Sequence, residues 1–175
     1  MAHHLERSID AHQRTDSTTS RTGAAAHYDV LMDLFLERFV DAQDDPPFGC
    51  DGYDTACAEL RAGRKQTHWI WWVFPQLHGL GSSELSLAYG IASIAEARSY
   101  LAHPVLGPRL RTATDLLLAV PGSDAETILG ATDATKARSS MTLFGRAAPD
   151  EACFRAVLDR FFGGVEDPET VKRLG

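Results

Sequence analysis

From Tyr28 onward, apolar residues recur at three- and four-residue intervals, the period of a helix that buries one face. Leu31, Leu34, Phe35, Phe39 and Val40 form the first such stripe. Breakers follow between Asp44 and Gly52, with Pro46, Pro47, Gly49 and Gly52 spelling a loop. A second helix is predicted over Tyr53 to Ala62, with Tyr53, Cys57 and Leu60 inward and Gly63 as its cap. Trp69 to Phe74 is an unbroken apolar run. Period alone cannot separate a buried strand from a buried helix there, and the helical surroundings favour a helix ended by Pro75.

The second half reads as helices divided by their own start and stop residues. Gly79 to Ser83 is a turn. Ser93 with Glu96 has the form of a capping box and starts a helix that ends by His103. Leu106, Leu110, Leu117 and Val120 line the next, which carries Pro108 in its first turn and stops at Pro121-Gly122. Ser123 with Glu126 repeats the capping box for a short helix to Leu129, and Gly130 ends it. Ala134 to Arg146 is predicted helical, with Ala137, Met141 and Phe144 inward. Pro149 opens a helix bearing Ala152, Val157, Leu158, Phe161 and Phe162, capped by Gly163-Gly164. Asp167-Pro168-Glu169 starts the last one. There is no βαβ alternation and no internal repeat. The expected fold is an all-α, compact single-domain orthogonal bundle over residues 28–175, with one short strand pair as the main departure.

Met1 to His27 differ in kind. They hold no aromatic residue, and their charges (Glu6, Arg7, Asp10, Arg14, Asp16, Arg21) cancel. Such a segment buries too little apolar surface to offset its ordering entropy, so a disordered tail is expected.

Composition narrows the function classes. The 175 residues are 44% hydrophobic, enough for a core without disulfide or metal staples, and no cofactor is implied. A net charge of -7 without a basic stripe argues against nucleic-acid binding. No run approaches the ~20 apolar residues that span a bilayer, so no membrane partner is expected. No secretory h-region opens the chain, which favours the cytoplasm. Cys50, Cys57 and Cys153 have neither disulfide nor zinc spacing and read as free thiols, and no metal site is expected.

Two segments bring polar chemistry against strongly apolar sequence. The first runs from Lys65 through His68 and Trp69 to Gln76 and holds all three tryptophans of the chain. Indoles can wall a pocket, and His68 is the candidate acid or base. The same residues equally describe a core helix with a satisfied histidine at its mouth. The second segment is Lys136-Ala137-Arg138-Ser139-Ser140-Met141-Thr142. Lys136 and Ser140, four apart, share a helix face. Hydroxyls disfavour helix interiors, so Ser139, Ser140 and Thr142 are a local inconsistency of the kind found at sites. Close helix packing is the competing explanation. No nucleophile elbow, phosphate loop or calcium loop is present.

These residues carry a family resemblance. Glu59 to Lys65, His68-Trp69-Ile70-Trp71, Phe74-Pro75-Gln76, Gly79-Leu80-Gly81, Tyr89-Gly90-Ile91, His103 to Gly107, Lys136 and Ser139 to Phe144 together resemble a family of small bacterial and fungal proteins of unknown function. Its members are sometimes labelled "calpastatin". The resemblance covers roughly Leu34 to the C-terminus and implies a compact, mainly helical domain with no assigned activity. The tail and the Asp44–Gly52 loop look like additions of this chain. An inhibitor of the calpastatin kind would be repeated and disordered, whereas this chain has its own core. Two functions of different class stand. In one, a small anionic metabolite or nucleotide binds Lys65, His68, Trp69, Gln76, Lys136, Ser139, Ser140 and Thr142. In the other, the domain is a protein-interaction module or scaffold without catalysis.

Overall fold

The computed structural model describes residues 35–175. The expected tail, and the part of the first helix that contains Leu31 and Leu34, lie outside them. Helix α1 occupies residues 35–44 of the described chain. It is followed by α2 (Tyr53–Arg61), α3 (Ile70–Val73), α4 (Glu84–Ala88), α5 (Ile94–Ala102), α6 (Leu106–Ala119), α7 (Ala125–Leu129), α8 (Ala131–Ala147), α9 (Ala152–Phe162) and α10 (Pro168–Leu174). Among the described residues there is no strand. The anticipated strand pair shrinks to one parallel bridge between Leu77 and Ile91. The fold is all-α.

Helix α8 is the centre, packing against α3, α5, α7, α9 and α10. Its buried side chains extend over most of its circumference, because neighbours surround it. An aromatic series runs through the core. Trp71 meets Trp72, Trp72 meets Tyr89 edge-on at 5.2 Å, Tyr89 meets Phe39, and the contacts continue through Tyr100 and Phe144 to Phe154. Such edge-on and tilted pairs add about 0.5–1.5 kcal/mol each beyond area burial. Trp72 is fully buried, and its indole N–H donates to the Asp51 carbonyl, so the polar atom costs nothing.

Several boundaries differ from the sequence reading. Phe39 faces the core and Val40 packs against it as expected, Leu36 joins them, and Phe35, expected inward, is 65% exposed. Helix α4 is an addition. Its five residues are too few to show a period, but Ser83 caps it by accepting the Ser86 N–H. Helix α7 starts after Asp124, not Ser123. The Asp124 carboxylate takes the backbone N–H groups of both Glu126 and Thr127 and also the Thr127 hydroxyl, which a serine cannot match. Helix α8 begins three residues early, because Gly130, at φ +82°, turns the chain directly out of α7. Pro149 does not open α9. It lies in the preceding turn, closed by Glu151 N–H on the Ala148 carbonyl, and α9 starts at Ala152. At α5 the Ser93 hydroxyl accepts the Glu96 N–H as expected, but the Glu96 carboxylate reaches past Ser93 to the Ala92 N–H and the Arg38 guanidinium.

The three cysteines are free. Cys57 is buried, while Cys50 and Cys153 are only partly so.

Candidate functional site

The segment between α2 and α3 is fixed from beneath by a carboxylate. Glu59 is buried, and its Oε2 accepts the backbone N–H groups of Gln66 and Thr67 and the Trp69 indole N–H, at 2.8, 3.2 and 2.8 Å. Burial pushes the Glu59 carboxyl up, but these donors together outweigh it and hold the group below the ordinary carboxylate value. Lys65 N–H donates to the Ile128 carbonyl of α7, tying the same segment to the helix pair α7–α8. Its ammonium reaches the Thr67 carbonyl and lies 5.0 Å from the Trp69 ring centroid.

Across from it stands the first turn of α8. Asp133 receives Lys65 Nζ at 2.7 Å on one oxygen and Lys136 Nζ at 2.9 Å on the other. Lys136 in turn sits 4.6 Å from the Trp71 ring centroid. Two ammonium groups, one carboxylate and two indole faces form a continuous row of net charge +1. It is sheltered: the Lys65 side chain is 5% exposed and that of Lys136 is 18% exposed. Sheltering strengthens a cation–π contact and costs the cations hydration, and Asp133 offsets that cost.

The row continues on the far side of Trp71. Its indole N–H donates to Ser86 Oγ at 3.2 Å, and Ser86 Oγ is 2.8 Å from Ser83 Oγ. Gly81 lies against both Ser86 and Gln76. A β-carbon on Gly81 would fall 2.5 Å from Ser86 Oγ and 3.2 Å from Gln76 Nε2, so glycine leaves room for both side chains beside it. The Gln76 backbone is pinned by its carbonyl, which accepts the Ile91 N–H at 2.9 Å. Its side chain is 8% exposed, and that exposure leaves the carboxamide in contact with solvent.

The structure sorts the predicted hydroxyls. Ser139 Oγ donates to the Thr135 carbonyl, one turn back. Thr142 donates to the Arg138 carbonyl and accepts the Asp167 N–H, joining α8 to the start of α10. Both are accounted for by helix packing. Ser140 is fully buried with no partner for its hydroxyl, one turn beyond Lys136 on the same face. No hydrogen bond links Ser140 to Lys136, so the two do not form a nucleophile–base pair. His68 is exposed. Its carbonyl accepts the Asp51 N–H, but no hydrogen bond, ion pair or ring contact among the described residues engages the imidazole.

Lys65, Trp69 and Lys136 therefore share one continuous row, joined through Trp71, one of the indoles expected to wall a pocket, and through Asp133, which the sequence reading left out, as it did Ser86 beyond Trp71; Gln76 makes no hydrogen bond to the row. Asp133 could have been found from its i,i+3 spacing to Lys136; nothing local points to Ser86. A cleft of about 380 Å³ opens elsewhere, lined by Gln43, Asp44, Asp51, Tyr53, Asp54 and Arg109 among others, and contains none of the predicted residues. Among the described residues no cluster of histidine, cysteine or carboxylate side chains is arranged to hold a metal, and no helix is long and apolar enough to cross a membrane.

An all-helical domain with a lysine–indole row at its α3–α8 junction is the class that fold and site define. Within that class, residues 33–174 match the family described as "Protein of unknown function (DUF1810)", and the chain belongs to it. The chain is also similar to a solved structure, the conserved hypothetical protein Rv1873 from Mycobacterium tuberculosis, crystallised at 1.38 Å. The two are 50% identical, with a TM-score of 0.74, over 79% of this chain and 95% of that one. No curated protein matches the sequence.

Proposed function

We propose that this domain binds a small anionic molecule, of the phosphorylated-metabolite class, on the row formed by Lys65, Asp133 and Lys136. The observation that carries the reading is that one carboxylate is shared by two lysines, each set over an indole. A structural ion pair needs one cation per carboxylate. Asp133 balances one of the two ammonium groups directly, and the Glu59 carboxylate bonds the Trp69 indole N–H and neither ammonium group, so an anion complements the second lysine. The rigid Trp69 and Trp71 faces preorganise both ammonium groups, which reduces the ordering cost of binding. The reading stops at binding. His68 is the nearest candidate acid–base group in the chain order, and its part is decided by experiment.

Ribose 5-phosphate and inorganic phosphate, titrated calorimetrically into the full chain, test the proposal. Binding is expected, weakened at least about tenfold by Lys136→Met, the cost of one lost charge-assisted contact. His68→Gln is the parallel variant: an unchanged affinity removes His68 from the site. If Lys136→Met folds and binds both probes as the unmodified chain does, the anion reading is wrong.

A further inference from the structure

We infer that this chain self-associates head to tail, with the Phe48 side chain of one copy seated in an apolar pocket between the C-terminal ends of α5 and α8 of another. The contact uses no residue of the lysine row. Its knob is the loop between α1 and α2. Cys50 N–H donates to the Pro47 carbonyl at 3.0 Å and closes a four-residue turn with Phe48 and Gly49 at its centre. Gly49, at φ +79°, supplies the left-handed residue that such a turn needs. Asp45 N–H on the Asp41 carbonyl and Asp51 N–H on the His68 carbonyl tie down both ends of the loop. The turn therefore holds out a ring that is 107% exposed. Asp45 and Asp51 flank it, and neither carboxylate forms an ion pair among the described residues. The socket has a volume of about 260 Å³. Leu101, Ala102, Ala147 and Ala148 give it an apolar wall, with Arg98 and Arg111 beside them. An apolar space of about 150 Å³ holds benzene, so a phenyl ring fits. Both guanidinium groups are held in place, Arg98 by the Ala147 carbonyl and Arg111 by the Leu101 carbonyl. Glu151 neutralises Arg111, whereas Arg98 has no ion pair among the described residues. An apolar knob with acidic flanks thus matches an apolar socket with a positive rim, and such matched charge orients two surfaces. A guanidinium can also lie against the ring face. On α6, Arg109 pairs with Asp44 of the loop, while Arg111 lines the socket. Side chains two residues apart do not share a helix face, so knob and socket look in different directions and the contact falls between copies.

Sedimentation velocity on the full chain, from about 10 µM to about 1 mM, tests the contact, since interfaces of small area are weak. The average mass of the unmodified chain is expected to rise with concentration. Phe48→Ser removes the ring, and Arg98→Glu sets a carboxylate against Asp45 and Asp51. Each variant alone should stay monomeric over the whole range. Both residues are exposed, so neither change threatens the fold. An equal mixture of the two variants is the decisive measurement. One retains the socket and the other the knob, so the mixture should associate through a single contact and stop at two chains. An unmodified chain that stays monomeric at about 1 mM overturns the inference. So does association that persists undiminished in either variant, which would place another surface at the interface. A mixture that stays monomeric overturns it as well, because Phe48 and Arg98 would then not meet.

Discussion

Lys65 and Lys136 come from different elements, yet their ammonium groups meet on the two oxygens of Asp133, at 2.7 and 2.9 Å. The carboxylate therefore joins the α2–α3 segment to α8 as well as neutralising charge. Replacing it with a neutral amide of the same shape leaves two sheltered cations facing each other. Asp133→Asn is expected to lower stability by about 3 kcal/mol, the lower end for breaking a buried pair, since Asp133 keeps some exposure. Urea denaturation of the variant measures it. A loss below the ~1 kcal/mol of surface pairs would show that water solvates the row more than its burial implies.

Glu59 gives a pH signature. Its native carboxyl is held below the ordinary value of 4.5, because the donated hydrogen bonds outweigh burial. A group whose pKa is depressed on folding contributes stability that is complete above the unfolded value. That contribution is lost as pH falls through the lower native one. The stability difference between the unmodified chain and Glu59→Gln should accordingly be flat from neutral pH down to about 4.5 and shrink below it. Denaturant midpoints measured across that range decide the matter; a difference that grows on acidification would mean the carboxyl is not held ionised.

Most helix starts and stops were legible because capping is local chemistry. Ser93, Asp167 with Pro168, Gly130 and Gly163 act where the sequence places them. Failures come from competition between adjacent candidates, as with Ser123 and Asp124, or from brevity, as with α4. The site was half legible. The shared face of Lys136 and Ser140 follows from helical spacing, and crowding of lysine, indole and amide around the tryptophans pointed to Lys65, Trp69 and Gln76. What composition could not reveal is which hydroxyls spend themselves on their own helix. Ser139 and Thr142 do, and Ser140 does not. Nor could it reveal that Asp133 would be shared, because that depends on α7 and α8 meeting the end of α2.

His103 performs an unusual task at the start of α6. Its Nδ1 accepts the backbone N–H groups of Val105 and Leu106, both at 3.3 Å, so the imidazole takes the place of a serine or aspartate cap. His103→Ala should cost about 1 kcal/mol, and His103→Asn, with a carboxamide oxygen near the same place, should recover most of it. Chemical denaturation of the two variants side by side checks this. Equal losses in both would assign the role to packing of the ring.

The same change, glycine to alanine, should have opposite signs at two positions. At Gly145, inside α8, an added β-carbon would rest 3.7 Å from Phe154 Cβ, an ordinary contact. There the helix-propensity gain of up to ~1 kcal/mol should prevail. At Gly81 the added carbon would fall 2.5 Å from Ser86 Oγ and 2.7 Å from Ser86 Cβ. The hydroxyl could rotate away from the first clash only by giving up the Trp71 indole, and the second cannot be relieved without shifting the backbone of α4. Gly81→Ala is therefore expected to destabilise by about 1–3 kcal/mol, the usual cost of overpacking. The strain also has a direction. It pushes Ser86 away and frees the Trp71 N–H, so near-ultraviolet circular dichroism should change with Gly81→Ala and not with Gly145→Ala. If Gly81→Ala keeps both the stability and the indole signal of the unmodified chain, then Ser86 does not hold the Trp71 indole in place.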